Sequence, residues 1–290
     1  MPLTGYSVPN LPQPGFDPLI SPDAAGWWRR STAIVKAGWT QLAAIQAIGA
    51  ALQFAAELPL HLYLTTPHDR VSPAAGAASD LSGLLAAFGL VLVASFVATV
   101  IGAVVGMATM QIGVVIAAGG QPRLVPALRA AARRTFPLLG WQLAAELVVL
   151  LGVCACVLPA IYVLAVFTIL PAVVTFERTN AISRCFRLFN GSLGPAVGRI
   201  AAIIGIGIGA GIAGSTLVNG IGAAGASTGF APTASLAATV VAQLIGAVIA
   251  RGAAVLTGPL TLTAYADLRS RIEPLTTADL LAELGTPATT

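Results

Sequence analysis

The sequence predicts an all-α, polytopic membrane protein: a helical bundle with six transmembrane helices and with both termini in the cytoplasm. Of the 290 residues, 57% are hydrophobic and only 9% are charged, and the mean hydropathy is +0.87. A soluble domain carries about 25% charged residues, so this chain has too few charges to cover a surface in water. The stretch from Leu81 to Gln121 has no ionisable residue, although about 20 apolar residues suffice for one span.

Apolar stretches separated by turn-forming or polar residues predict the individual spans. Gly119-Gly120 ends the second span, Pro159 lies near a tight turn between the third and the fourth, and Pro171 is expected to kink the fourth because proline removes a helical hydrogen bond. The six predicted spans cover about residues 37–63, 81–118, 138–158, 160–176, 193–217 and 234–265.

The chain divides into a membrane domain and two flanking tails. Residues 1–22 contain six prolines, which favours a disordered, extended cytoplasmic tail. Residues 23–271 form the predicted membrane domain, and residues 272–290 form a cytoplasmic tail with a short helix after Thr277.

Three helices are expected to lie at the membrane interface, because they combine arginines with aromatic or aliphatic side chains. The last of them has Thr179 or Asn180 as a candidate N-cap and Asn190-Gly191 as a stop signal. The predicted interfacial helices cover about residues 23–36, 122–137 and 178–190.

The distribution of basic residues predicts the orientation. Thirteen of the 15 Lys and Arg residues fall on one side of the predicted spans, while Arg70 lies in an outer loop and Arg251 within span six. Positive charge accumulates on the cytoplasmic side of membrane proteins, which predicts a multi-pass protein of the inner (plasma) membrane. The net charge of +4 then indicates anionic lipid headgroups as partners, and no nucleic acid.

Five polar residues within the spans form a candidate intramembrane network: Glu57, Glu146, Arg251, Gln46 and Gln53. A charge in hydrocarbon costs several kcal/mol unless it is paired or hydrated. At about 1.5 Å per residue, Arg251 and Glu57 lie about 24 and 30 Å from the inner boundary, against about 12 Å for Glu146. We therefore expect Arg251 to pair with Glu57, either as a buried bridge or as part of a substrate or proton pathway.

A second group of charged residues is predicted on the cytoplasmic side, where it would contact headgroups or a protein partner. It consists of Glu177, Arg184, Arg187, Arg129, Arg133, Arg134, Asp267 and Arg269.

The sequence predicts no enzyme, no cofactor and no metal. The glycine spacing of residues 209–214 matches a dinucleotide-binding loop, but that loop follows a strand, and here it falls within a span. Lys36 is the only lysine and no P-loop surrounds it. Glu57, His61 and His68 could begin a metal site, yet no convincing further ligand is near them in the sequence.

The segment from Leu158 to Leu193 resembles the membrane domain of the bacterial glycerophosphoryl diester phosphodiesterase family, with its YciC-like relatives. A second resemblance covers Tyr265 to Arg271, at the end of span six. The sequence departs from the family pattern at Cys185 and at Glu273-Pro274. The resemblance implies a six-span fold but no phosphodiesterase activity, because these residues contain no soluble catalytic domain. The positions that carry the first resemblance are Pro159, Pro171, Glu177, Ala181, Arg184, Leu188 and Gly191.

Two functions follow from these observations. The first is a non-enzymatic scaffold or accessory component of the bacterial cell envelope, which organises lipids or protein partners and would work with a protein partner or as a homo-oligomer. The second is a transporter of a lipid or small molecule through a polar cavity lined by spans one, three and six. A scaffold predicts that the intramembrane charges are bridged, whereas a transporter predicts a cavity that reaches them.

Overall fold

The computed structural model describes residues 17–65, 76–155, 157–227 and 232–285. Within these residues all regular secondary structure is helical, as the sequence predicts. The helices are α1 Ala24–Ala37, α2 Trp39–Thr65, α3 Gly76–Ala117, α4 Leu124–Ala155, α5 Val157–Phe167, α6 Leu170–Phe176, α7 Ala181–Asn190, α8 Leu193–Ser227, α9 Pro232–Ser270 and α10 Thr277–Gly285.

The predicted number of spans is confirmed. Among the described residues, six helical stretches are long and apolar enough to cross a membrane, which makes this a polytopic α-helical membrane protein. These stretches are Trp39–Leu60, Gly83–Ala117, Leu124–Cys154, Val157–Phe176, Leu193–Ile221 and Val240–Ser270.

The exposed surface of α3 suits lipid and would be unfavourable in water. Leu84, Phe88 and Phe96 are 67%, 59% and 60% exposed. A helix that is apolar on all sides requires an apolar environment on all sides. The bilayer supplies that environment for the faces of α3 that no other helix covers.

Contacts between Cα atoms divide the chain into two units, and each contains parts of α2, α3, α8 and α9. Unit 1 comprises Met1–Gln46, Ala103–Ala210 and Gly252–Thr290, and unit 2 comprises Ala47–Gly102 and Gly211–Arg251.

Unit 1 holds α1 against the second half of α9. The Asp23 carboxylate caps α1 by accepting a 2.8 Å hydrogen bond from Gly26 N, which lowers the pKa of that carboxyl group. Trp27 Nε1 donates to the Leu260 carbonyl at 3.2 Å, and the hydroxyls of Ser31 and Thr263 lie 2.7 Å apart. These bonds satisfy polar atoms in the core and fix α1 on α9.

The expectation of a separate helix over residues 122–137 is wrong. The helix α4 continues from Leu124 through Pro137 to Ala155, so the basic segment is the first part of span three. Pro137 removes one hydrogen-bond donor, but the carbonyl that loses its partner belongs to Arg133, which is exposed. Membrane helices tolerate proline where the freed carbonyl finds another donor.

Span four is interrupted, as Pro171 predicts. It consists of α5 and α6, and Pro171 lies in the first turn of α6, where a missing N–H costs nothing. The caps predicted for the next helix are confirmed: Asn180 accepts from Ser183 N at 3.1 Å, and Gly191 is the C-cap of α7. The chain therefore turns sharply twice between Phe167 and Ala181.

The predicted tail over residues 1–22 is partly ordered. Residues 1–16 lie outside the described part, but Leu19 is only 1% exposed. Asp17 Oδ2 accepts from Thr277 N at 2.7 Å and Asp17 Oδ1 from the Thr277 hydroxyl at 2.6 Å. The prolines alone predicted disorder, but Asp17 supplies an acceptor that caps α10 at its N-terminus.

In unit 2, α8 and α9 approach closely at two glycines. A methyl group added to Gly214 would lie 3.8 Å from the Gly246 carbonyl oxygen and 3.9 Å from its Cα. Small residues allow membrane helices to come this near, which agrees with the many glycines of α8.

We predict that Gly152→Ala lowers the stability of unit 1 by about 1–3 kcal/mol. The added methyl group would lie 3.1 Å from the Cα and N atoms of Ala160, which are backbone atoms of α5 and cannot move independently. Gly140→Ala is the matched control on α4, because a methyl group there has no neighbour within 4 Å. Unfolding in detergent micelles measures both changes, and equal stabilities would contradict the close contact of α4 with α5.

Candidate functional site

A cleft with a volume of about 570 Å³ lies in unit 1, where α6 and α7 meet the ends of α9 and α10. Five arginines and three glutamates line it, together with polar side chains of α7 and the loop before it. The lining residues are Arg134, Phe176, Glu177, Arg178, Thr179, Asn180, Ser183, Arg184, Arg187, Arg269, Glu273 and Glu283.

Glu177 is a buried carboxylate beside this cleft, with a side chain only 7% exposed. Its Oε2 lies 2.5 Å from Arg184 Nε, and its Oε1 accepts a 2.8 Å hydrogen bond from the Tyr265 hydroxyl. Arg269 Nε is 3.8 Å from the same Oε1. Two cations and one hydroxyl thus compensate the charge of Glu177, which a buried carboxylate requires.

Arg184 joins two carboxylates from different parts of the chain. Its Nη2 donates to Glu273 Oε1 at 2.5 Å, while its Nε faces Glu177. Burial disfavours the charge of Arg184, but the carboxylates of Glu177 and Glu273 outweigh this, so its pKa lies above the ordinary value. Arg184 therefore stays charged and connects α7 to the segment after α9.

Arg269 has the largest number of polar partners in the cleft. Its Nε bonds Glu273 Oε1, and its Nη1 donates to the Tyr265 hydroxyl at 3.0 Å. Nη1 and Nη2 also donate to Glu283 Oε2 and Oε1, at 2.9 and 2.7 Å. These last two bonds form the bidentate fork by which arginine binds carboxylates and phosphates.

The pKa of Glu273 lies below its ordinary value. Burial opposes its ionisation, but hydrogen bonds and charge from Arg269 and Arg184 outweigh burial. Glu273 is therefore ionised at neutral pH, and it neutralises part of the positive charge of the cleft.

Two further arginines of the cleft differ in their contacts. Arg134 Nη1 donates to the Thr175 carbonyl and, at 3.4 Å, to the Val174 carbonyl, so it caps the C-terminus of α6. Arg187 is exposed and makes no ion pair within the described residues. The charge of Arg187 is thus available to an external anion.

The cleft offers positive charge and N–H donors, and Cys185 lies on the buried side of the helix beside it. Cys185, on the buried side of α7, is fully buried, and burial together with the charge of Glu177 raises the pKa of its thiol to about 12. A thiol with this pKa stays protonated at neutral pH and is a poor nucleophile.

Asp267, predicted as a contact for headgroups, belongs to a separate buried network. It pairs with Arg199 and, at 2.9 Å, with Arg271. Arg199 also donates to the Ser21 carbonyl at 3.0 Å and lies 6.0 Å from the centre of the Trp27 ring. Asp267 is 2% exposed, so its role is to hold α8, α9 and the N-terminal segment together.

Arg129 and Arg133, also predicted as contacts, lie outside the cleft on the exposed face of α4. Two apolar side chains share this face, because residues four and seven positions apart follow one helical stripe. Val125 is 64% and Phe136 is 81% exposed. This face therefore alternates cations with apolar groups.

The predicted intramembrane network is only partly assembled. In unit 2, Arg251 Nη2 donates to Gln53 Oε1, and Gln53 Nε2 donates to Glu57 Oε1 at 2.8 Å. The direct pair of Arg251 and Glu57 is replaced by a chain through Gln53, whose amide offers both a donor and an acceptor. The side chains of His61 and His68, the candidate metal ligands, lie outside the described part of the structure.

The other two members lie in unit 1 and do not belong to this chain of bonds. Gln46 is buried, and its Nε2 donates to the Thr109 hydroxyl at 3.0 Å. Glu146 is exposed on α4 and makes no hydrogen bond or ion pair within the described residues.

Sequence reasoning missed three residues of the polar network around Glu177 and Arg269: Tyr265, Glu273 and Glu283. Their spacing carried one signal, because Tyr265, Arg269 and Glu273 are four residues apart and would share a helix face. Nothing in the sequence indicated that Glu283 returns to Arg269.

The comparisons with known proteins leave the family open. No protein-family model matches the chain, and neither the curated proteins nor the solved structures give a match. The two segments that carry the resemblance noted in the sequence do meet in space, through Glu177, Arg184, Tyr265 and Arg269. The resemblance itself stays a prediction.

We predict that Arg199→Met lowers the free energy of unfolding by about 3–5 kcal/mol, because it leaves the buried Asp267 without its main partner. Arg271→Met is the matched control. It removes the other arginine from the same carboxylate, but that side chain is 30% exposed, and the expected loss is below about 1 kcal/mol. Denaturation in detergent micelles measures both, and similar losses would contradict the unequal roles of the two arginines.

A double-mutant cycle tests the chain in unit 2. We expect Gln53→Leu and Arg251→Met to be coupled by about 0.5–2 kcal/mol, because their side chains bond each other. The cycle of Glu57→Gln with Arg251→Met should give a smaller coupling. A larger coupling for Glu57 would restore the direct pair that the sequence predicted.

Proposed function

We propose that this protein is a non-enzymatic component of the bacterial cell envelope that organises anionic phospholipids, whose headgroup phosphates bind in the arginine-lined cleft. The observation that carries the proposal is the excess of five arginines over three glutamates in a cleft of about 570 Å³. A phosphodiester accepts hydrogen bonds from guanidinium groups in the same planar geometry as a carboxylate.

The position of the cleft along the helices supports a lipid ligand. Phe176 is the last residue of span four, and Arg269 is next to the last residue of span six. Both residues line the cleft, which therefore lies at the ends of these two spans. Clusters of arginine at this level attract anionic lipids.

The exposed face of α4 supports the same function. Val125 and Phe136 can enter the acyl region while Arg129 and Arg133 remain among the phosphates, as in interfacial amphipathic helices. We propose that the end of unit 1 that carries the cleft faces the cytoplasm, because most of the basic residues cluster at that end. The protein would then reside in the plasma membrane, with both termini inside.

Transport of a lipid or small molecule is the second candidate. The polar chain from Arg251 through Gln53 to Glu57 lies within spans one and six and would suit a pathway. A transporter leaves such groups open to a solute, whereas here they bond each other. The bridging favours the scaffold.

We predict that the purified protein retains short-chain phosphatidylglycerol in preference to phosphatidylcholine, as measured by native mass spectrometry from detergent micelles. Arg187→Gln should weaken the retention of phosphatidylglycerol by about two- to fivefold, because one charge near the phosphate is lost.

Arg129→Gln is the matched control, since it removes the same charge from α4 outside the cleft. Its effect on phosphatidylglycerol should be smaller than that of Arg187→Gln. Equal effects of the two substitutions would mean that lipid binding depends on overall charge. Equal retention of both lipids by the wild-type protein would overturn the proposed function.

A further inference from the structure

We propose that α10 is a tethered competitor of the headgroup: the Glu283 carboxylate occupies the guanidinium of Arg269 and must leave before a phosphate can bind there. This inference rests on the proposed function and concerns the regulation of the same cleft. The cleft would then alternate between a closed state, filled by its own C-terminal helix, and an open state that binds lipid.

The contact between Glu283 and Arg269 has the geometry of ligand recognition. Two parallel hydrogen bonds, 2.7 and 2.9 Å long, join the two carboxylate oxygens to the two terminal nitrogens of the guanidinium. Phosphate oxygens use the same pair of nitrogens when arginine binds them. The carboxylate therefore takes the place that an incoming phosphate oxygen pair would need.

The other contacts of Arg269 do not block a phosphate in this way. The Nε of Arg269 bonds Glu273, which is four residues away on the same helical path. The Tyr265 hydroxyl is a neutral partner. Within the described residues Glu177 also approaches this guanidinium, at 3.8 Å from Nε, but its side chain is only 7% exposed and is held by Arg184. Glu283 reaches the two terminal nitrogens from a separate helix, so it can withdraw without unfolding the end of α9.

α10 is suited to reversible docking. It has nine residues, and a helix of this length is marginal without tertiary contacts. Leu280 is fully buried, and Thr277 is held by Asp17. These contacts anchor the first half of α10, while Glu283, in its last turn and with a side chain 30% exposed, lies where water and an anion can reach it.

The charge of the cleft changes when α10 leaves. With Glu283 in place, five arginines face three glutamates, and without it the same arginines face two. The open cleft attracts an anion more strongly, and it offers two nitrogens of Arg269 that the closed cleft lacks. Because coupling between two sites is reciprocal, a bound phosphate must also weaken the docking of α10.

Glu283→Gln tests the inference in the full-length protein. Glutamine keeps the size of the side chain but removes its charge, so phosphatidylglycerol should bind about two- to fivefold more tightly, as expected for loss of a partly exposed ion pair. Asp279→Asn is the control. It removes the same charge from α10. The hydrogen bonds of Asp279 in the described part of the chain all join it to Thr276, and asparagine keeps the capping oxygen.

Hydrogen exchange of α10 gives a second measurement. Adding short-chain phosphatidylglycerol to the wild-type protein should speed the exchange of amides in α10, whereas phosphatidylcholine should not. Glycerol phosphate serves as a free phosphate ester. If glycerol phosphate alone speeds the exchange of α10, then α10 still competes with a phosphate. The ligand is then a soluble phosphate ester, and the proposed lipid function is wrong.

The failures of the two proposals are distinguishable. If Arg187→Gln weakens lipid binding while Glu283→Gln and Asp279→Asn both match the wild type, α10 is not a competitor and the proposed function stands. If the wild-type protein and Glu283→Gln alike fail to prefer phosphatidylglycerol or glycerol phosphate over phosphatidylcholine, both proposals are wrong.

Discussion

The buried carboxylate of Glu177 is the constraint on which unit 1 depends. A carboxylate that is 7% exposed needs compensating charge, and the chain supplies it from Arg184 and Arg269 on different helices. These two arginines in turn bond Glu273, and Arg269 bonds Glu283. One compensated charge thereby brings the end of span four, α7, the end of α9 and α10 into a single network.

A second network of ion pairs and hydrogen bonds lies on the opposite side of the C-terminal end of α9. Asp267 and Arg199 are both nearly inaccessible, and Arg199 also bonds the carbonyl of Ser21. Side chains two positions apart on a helix point in different directions. Asp267 and Arg269 therefore enter different networks although they are two residues apart. The segment before α1 and the segment after α9 are fixed by these contacts, and Asp17 joins them at Thr277.

The same features that stabilise unit 1 make its cleft adjustable. Glu177 is enclosed and its partners are constrained, whereas Glu283 and Glu273 are about one-third exposed. Partly exposed ion pairs contribute little to stability and can be exchanged for an external anion at small cost. The buried pairs maintain the fold, and in the proposed function the exposed pairs govern access to the arginines.

The sequence by itself determined the helical class, the six spans, the break at Pro171 and the caps at Asn180 and Gly191, because hydropathy and capping act over a few neighbouring residues. The tertiary structure decided the continuity of α4 through Pro137, the insertion of Gln53 between Arg251 and Glu57, and the return of Glu283 to Arg269. These outcomes depend on side chains that are distant in sequence, and no local pattern specifies which of several available charges will meet.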